Sequence, residues 1–471
     1  MTSFVNTSNK PNGPRTAVSS VSAQDVPGRW SQLGASRPAM VIVPSSEDEI
    51  IAAIQLATTK NWRVIPVGGG HSPFVPINEK SVLLDMRKFN HVSVGTGSVT
   101  IGGGSTAGDV IQACAEKQCY TLTPNSNAVG MVGFLLGGGS SSFNGIHGLA
   151  AEHIMEVRMI TADGLILHLS SSSTGAEREL FSAIRGAGHG LGVITSLTMP
   201  TFSISVLNMP NDCVSVRRIT FPLAALDHAT MAFLKLQERV TGRSKSRLLS
   251  SIMFLRAPPG LSQVGEPLIY LTAAYYGSAS DAERCTLELY DPDLLQHSLT
   301  ASSSTIPLHK MNDGTESLNI TGGYKQLGNA LLASADLEGI QQGIHAWLRF
   351  GDSHPDAKEH TIIFWGTWST SPMPRSTFLQ GSDRTAFLQV LVWYTERNTH
   401  EPAREFMEDM LNIGRRNDAN NGVAALTFPN NQLLGGKIGE IYSPEAVQRI
   451  KRVKALWDSG SLFWSPAIDS L

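Results

Sequence analysis

The chain has 471 residues, 41% hydrophobic and 16% charged, and its 37 Lys and Arg against 40 Asp and Glu leave a net charge of −3. That length can bury a sizeable core without staples, the composition excludes a disordered or fibrous chain, and the charge balance excludes a nucleic-acid binder that works through a basic surface. Four scattered cysteines (Cys114, Cys119, Cys213, Cys285) make neither a disulfide framework nor a zinc-ligand set, so no metal is expected.

Residues 1–28 are rich in Ser, Thr, Asn and Pro and read as a mobile tail. They lack the apolar run of a signal peptide, so a cytoplasmic protein is expected. Residues 40–43 read as a strand. Ser46-Glu47-Asp48-Glu49 is a capping box that opens a helix with Ile50, Ile54 and Ala57 on one face. Strands are predicted at 64–67, running into Gly68-Gly69-Gly70-His71-Ser72, and at 82–85. Residues 91–94 and 98–101 alternate around Gly95-Thr96-Gly97 as a hairpin, and Thr106 caps a helix carrying Val110, Ile111 and Cys114. A glycine-dense stretch over 127–142 follows. A second hairpin pairs 154–160 with 165–169, residues 177–184 read as a helix, and a glycine run at 186–192 leads into a strand at 193–199.

Beyond 205 glycine thins and longer elements appear. Strands are predicted at 215–221, 249–256, 268–276, 361–369 and 385–395. Helices are predicted at 222–240, 279–290, 336–348 and 402–416, with a last one from Pro444 to Trp457. The predicted class is α+β, with a single sheet in the second part covered by helices on one face.

The glycine clusters of the first 200 residues share one explanation. Glycine lets a ligand approach the backbone, and bare N–H groups can hold phosphate without Lys or Arg. Residues 118–151 carry no Asp, Glu, Lys or Arg, and Gly, Ser and Asn interrupt them too often for a membrane span. Burial against a nucleotide pyrophosphate accounts for that. GxxxxGK[ST] is absent, and 186–192 has neither the spacing of GxGxxG nor its strand-to-helix setting, which disfavours both a P-loop and a Rossmann site.

Taken together, these segments resemble FAD-linked oxidoreductases of the vanillyl-alcohol oxidase/p-cresol methylhydroxylase (PCMH) fold, in the berberine bridge enzyme-like branch. The resemblance rests on residues 43–50, the 68–72 loop, Leu84-Asp85-Met86, Gly102-Gly103-Gly104, 129–139, His147-Gly148-Leu149-Ala150, 161–164, 180–188, Gly192-Val193-Ile194-Thr195, Phe428-Pro429-Asn430 and 450–458. It implies a two-lobed PCMH-type FAD-binding domain over 29–204 and a substrate-binding domain over 205–425, built on a large antiparallel sheet covered by helices. A C-terminal segment, 426–471, returns to the FAD domain.

The implied cofactor is FAD, held by a single covalent 8α-histidyl link through His71. No cysteinyl link is expected, because Ser126 stands where many relatives carry the second attachment residue. The implied FAD-binding positions are Val67, Gly68, Gly69, Gly70, His71, Ser72, Ser126, Val129, Gly130, Gly133, Phe134, Gly138, Gly139, Asn144, His147, Gly148, Leu149, Gly192, Val193, Ile194 and Asn430. Phe428 replaces a tyrosine that often assists proton abstraction in relatives. The catalytic candidates are therefore His147, Gln389 and Tyr394, with Tyr324 nearby, and Asn430. Phe387, Gln389, Leu391 and Trp393 share one strand face by period two.

The implied activity is oxidation of a small, largely apolar specialised metabolite by hydride transfer to flavin N5, with molecular oxygen as acceptor. An isomerase or cyclase without net oxidation, a carbohydrate or alcohol oxidase, and a non-catalytic flavin-binding protein stay open. A small-molecule substrate, no nucleic acid, no membrane, and a monomer or homodimer complete the expectation.

Overall fold

The computed structural model of the chain describes residues 20–21, 28–34, 37–241, 245–259, 264–370, 378–433 and 435–469. The fold is α+β, with two small sheets and a two-stranded ribbon (Cys119–Tyr120 with Phe202–Ser203) in the N-terminal part and one large antiparallel sheet after them. The expectation for residues 1–28 falls mostly outside the described residues, except that Ser20–Val21 form a short strand against Val41–Ile42.

In the first small sheet, Met40–Ile42 and Arg63–Val67 flank Ser81–Asp85, all parallel. The helix Glu47–Lys60 makes the crossover. Its Ser46 hydroxyl accepts from the Glu49 N–H, while the Glu49 carboxylate accepts from the N–H of Ser45, one residue earlier than a standard capping box. Ile50, Ala53, Ile54 and Ala57 form its buried face. The second small sheet has five antiparallel strands, in the order Val92–Val94, Ser98–Gly102, Val193–Pro200, Glu156–Ile160 and Ile166–Ser170. The helix Gly175–Ala187 breaks at Arg185 and Gly186, where φ at Gly186 is 113°. The chain end packs back here. Helix Pro444–Trp457 lies on Gly175–Ala187, and Phe463 bridges Val64 in the first sheet.

The large sheet has seven strands in the order Thr300–Pro307, Cys213–Pro222, Pro267–Tyr275, Leu248–Arg256, Ile362–Thr367, Ala386–Tyr394 and Tyr324–Leu332. Helices Leu226–Val240, Leu337–Ser353 and His400–Asn420 cover one face. Phe221, Phe233 and Phe254 are fully buried between sheet and helices, each contributing about 1.5–3 kcal/mol. The other face is turned toward the N-terminal part.

The structure departs from the sequence reading at three places. Thr300–Pro307 is a strand without apolar alternation, because it is an exposed sheet edge. Tyr324–Leu332 is a strand that carries Lys325, Gly328 and Asn329, and the polar groups of Lys325 and Asn329 bond residues about 100 to 300 positions away, Lys325 also the nearby Ile320 and Gly322 carbonyls. The predicted helix 279–290 is two pieces, Ala279–Cys285 and Leu287–Tyr290, parted at Thr286. The glycine-dense stretch carries the short helix Met131–Leu136, and a second short helix, Asn144–His147, follows it.

Candidate functional site

A cavity of about 720 Å³ lies between the glycine loops and the uncovered face of the large sheet. Its size falls in the range of small-molecule and cofactor sites. Its floor is built from residues 67–72, from 129–134, and from Gly192 and Ile194. Two of these loops touch backbone to backbone. A Cβ on Gly69 would sit 2.4 Å from the Gly130 nitrogen and 2.5 Å from the Ala128 oxygen, so only glycine permits the approach. The roof is Met253, Phe364, Phe387, Gln389 and Leu391. Trp368 and Phe428 meet edge to face beside it at 5.5 Å.

Few polar side chains reach this space, and among the described lining residues none is Asp, Glu or Lys. Gln389 accepts at Oε1 from Asn431 Nδ2 (3.0 Å), and its own Nε2 has no protein partner among the described residues. Asn431 is held in turn by Asn329, which is fully buried. The Asn329 amide donates to the carbonyls of Phe428 (3.0 Å) and Asn431 (2.9 Å), and its oxygen accepts from the Phe428 N–H (2.7 Å).

At the other end of the cavity, Arg29 donates to the carbonyls of Ser72 (2.7 Å) and Val75 (3.3 Å). Burial lowers its pKa to about 10, which leaves it cationic at neutral pH. His189 donates from Nε2 to the Gly133 carbonyl (3.1 Å), which leaves Nδ1 as an acceptor, and burial pushes its pKa to about 4. The His71 ring stacks on Trp30 at 5.6 Å and 16°. Burial first, and the positive charge of Lys325 second, hold His71 at about 4, so its imidazole is neutral at physiological pH.

Residues 38–170 match a family model described as an FAD binding domain. Among curated proteins, the FAD-linked oxidoreductase azaG of Aspergillus niger is 28% identical over 61% of this chain. The chain spans 58% of that relative's length. Among solved structures, the Physcomitrella patens BBE-like 1 protein superposes with a TM-score of 0.75 at 16% identity, covering 93% of this chain and 92% of its own. The glucooligosaccharide oxidase of Acremonium strictum superposes with a TM-score of 0.74 at 17% identity, covering 95% and 96%. Residues 38–170 thus carry an FAD binding domain, the chain is similar to FAD-linked oxidoreductases, and its fold is that of the BBE-like proteins.

The cavity fits FAD, the cofactor of that domain. Arg29 Nη1 and His189 Nδ1, one donor and one acceptor, are both buried at its wall without a partner among the described residues, an arrangement that costs about 1–3 kcal/mol per group unless a ligand completes it. A Cβ on Gly133 would meet nothing within 4 Å, which leaves open space over its backbone. Backbone there, rather than lysines, borders the open space, a setting in which main-chain N–H groups can hold phosphate.

Most of the residues expected to bind FAD lie on this cavity: Val67 to Ser72, Ser126, Val129, Gly130, Gly133, Phe134, Asn144, Gly192, Ile194 and Asn430. The others lie off the lining of this cavity. His147 does not line it. Its Nε2 shares a hydrogen bond with the Tyr120 hydroxyl (2.9 Å) and its ring stacks on Phe202 at 3.9 Å, so it is committed to an aromatic cluster behind the glycine loops. Gly148 follows it as a backbone turn at φ 85°. Gly138 and Gly139, both at positive φ, are spaced for the C-terminal segment instead. A Cβ on Gly138 would lie 3.1 Å from Phe428, and the Gly139 N–H donates to Asn430 Oδ1. Leu149 packs with Trp368 and Phe428, and Val193 lies in the core between the two small sheets.

Tyr394 is on the wrong face of its strand. It is one residue out of phase with Phe387, Gln389 and Leu391, and its hydroxyl bonds Gln326 (3.0 Å) and His400 (2.8 Å) on the helix-covered side. Tyr324 stacks on it there. Asn430 lines the cavity, but its amide donates to the Gly133 and Phe134 carbonyls and its oxygen accepts from Gly139. Its amide is thus engaged with the glycine loop at both ends. Of the catalytic candidates, Gln389 alone presents a polar group to the cavity that no protein group occupies.

The sequence reading missed Arg29, His189, Asn329 and Asn431. Arg29 sits at the edge of the tail and His189 inside a glycine run, and no spacing distinguishes Asn431 from its neighbour Asn430. No helix among the described residues is long and apolar enough to cross a membrane.

Proposed function

We propose that this protein is an FAD-dependent oxidase of a small, largely apolar specialised metabolite, with its flavin attached by one 8α bond to His71 and with molecular oxygen as acceptor. The single observation that carries the reading is one continuous cavity that has the His71 loop in its floor and an apolar roof interrupted by the Gln389–Asn431 pair. FAD supplies, when bound, an acceptor for a hydride leaving a substrate carbon. The chain's own residues do the rest. Met253, Phe364, Phe387 and Leu391 exclude water. Gln389 Nε2 offers a donor to a substrate oxygen, and its orientation is fixed by Asn431, which Asn329 fixes in turn.

Phe428 cannot take a proton, and no described lining residue is a carboxylate or a lysine. A substrate that ionises readily in water, or that passes its proton to water, suits such a wall. Ser126, at the position of the second attachment in many relatives, is occupied by its own bond to Asn319 (2.7 Å) and favours a single link. The A. strictum glucooligosaccharide oxidase carries a 6-S-cysteinyl, 8α-N1-histidyl FAD. The single link proposed for this chain would set it apart from that protein.

The test is purified protein, precipitated with acid. Yellow colour retained in the pellet, with a flavin-sized mass increase on the peptide containing His71, is the expected result. Turnover of small alcohols and phenols should exceed that of cellobiose, with one hydrogen peroxide per product. Colourless protein that takes up no added FAD overturns the reading. Product without peroxide favours an isomerase or cyclase.

A further inference from the structure

Lys325 is fully buried, yet none of its recorded partners is a carboxylate. Its ammonium donates to the carbonyls of Trp30 (2.6 Å), Ile320 (2.8 Å) and Gly322. It lies over the ring of Trp393 at 4.0 Å and that of Trp30 at 5.3 Å. A buried cation is expensive, and an apolar side chain of the same length would be cheaper for stability alone. The position of the charge suggests what it is for. Trp30 turns its other contact to His71, stacked at 16°, and its N–H donates to the Gly70 carbonyl (3.2 Å). Trp393, Lys325, Trp30 and His71 thus form one column from the large sheet to the glycine loop.

The column is also sewn together through the backbone. Lys325 exchanges hydrogen bonds with the Ser31 hydroxyl through its own N–H (2.9 Å) and carbonyl (2.8 Å), and the Gln32 N–H donates to the Gly323 carbonyl (2.9 Å). The Trp30 indole N–H donates to the Leu318 carbonyl (2.6 Å). Trp30 therefore has little freedom, and the plane of the His71 ring is set against it.

We propose that Lys325, acting through Trp30, is a positioning residue for covalent attachment of the flavin at His71. This rests on the single-link reading above. In the attachment, a bond forms between a ring nitrogen of His71 and the 8α carbon, the imidazole N–H and one 8α C–H are lost, and the two electrons and two protons pass to dioxygen as hydrogen peroxide. His71 must be neutral and held in one orientation to do this. Two cations stand at its loop, Lys325 from the large sheet and Arg29, which donates to the Ser72 carbonyl. Lys325 opposes a charged imidazole at His71.

The test compares wild type, Lys325→Met and Trp30→Leu as full-length apoprotein reconstituted with FAD, following the acid-stable flavin fraction with time and pH. Both variants should bind FAD without the covalent bond and attach it at least tenfold more slowly. In Lys325→Met the acid limb of the attachment rate should move to higher pH, a shift that loosened packing alone would not produce. Trp30→Leu keeps the ammonium and decides the matter if Lys325→Met fails to fold. Wild-type attachment rates in the variant or variants that fold overturn the proposal. A wild-type protein that never attaches flavin overturns the single-link reading itself.

Discussion

Replacing Asn329 by alanine should release the segment that carries Phe428, Asn430 and Asn431. Three backbone groups lose their partner: the N–H and carbonyl of Phe428 and the carbonyl of Asn431. The Phe428 bonds are buried and the Asn431 bond is partly so. Each fully buried orphan costs about 1–3 kcal/mol and the wetter one less, so the local penalty comes to about 4 kcal/mol. At about 1.4 kcal/mol per tenfold, that raises the open population of the segment by roughly three orders of magnitude. Hydrogen exchange of a peptide covering 426–433, followed by mass spectrometry, reads this directly. Asn329→Asp should do no better than alanine, since a carboxylate can still accept from Phe428 N–H but sets its charge against two carbonyls. Exchange within tenfold of wild type in both variants would refute the view that one buried amide holds the cavity wall in place.

Tyr394→Phe should leave flavin content and turnover unchanged and cost only about 1 kcal/mol of stability, because its hydroxyl serves Gln326 and His400 away from the cavity; a large loss of kcat would return it to the active site. Gly69→Ala should abolish flavin retention, read as the 450 nm absorbance of purified protein, since its methyl would drive into the Gly130 and Ala128 backbone. Gln389→Leu should raise KM for a polar-handled substrate about tenfold, the worth of one hydrogen bond of about 1.4 kcal/mol, with FAD binding intact by fluorescence titration. His147 is held near pKa 4 chiefly by burial. The folded state therefore binds fewer protons than the unfolded one, and stability is complete above about pH 6.5 and falls as the pH drops toward 4. The apoprotein's urea midpoint should decline over that window, and His147→Gln should flatten part of the decline.

Much of this molecule is written locally. The capping residues Ser46 and Thr106, the two N-terminal hairpins and the last helix are short-range signals, and the structure uses them where they stand. The glycine pattern likewise marks the cavity floor, because a backbone that must touch another backbone admits no other residue at Gly69. Period two along 386–394 separates Gln389 from Tyr394, so the sequence contained the fact that excludes Tyr394.

Other features have no local code. Which way His147 turns depends on Tyr120 and Phe202, 27 and 55 positions away (147 − 120 and 202 − 147). Lys325 reads as a surface lysine until Trp30, nearly 300 residues earlier, closes over it. Length, composition and residue spacing by themselves determined the fold class and the glycine-lined floor, since those follow from propensity and from steric exclusion at single positions. The tertiary structure alone decided which polar side chains meet at the cavity and which are consumed elsewhere, because a buried hydrogen bond is settled by whatever partner the distant chain brings within about 3 Å.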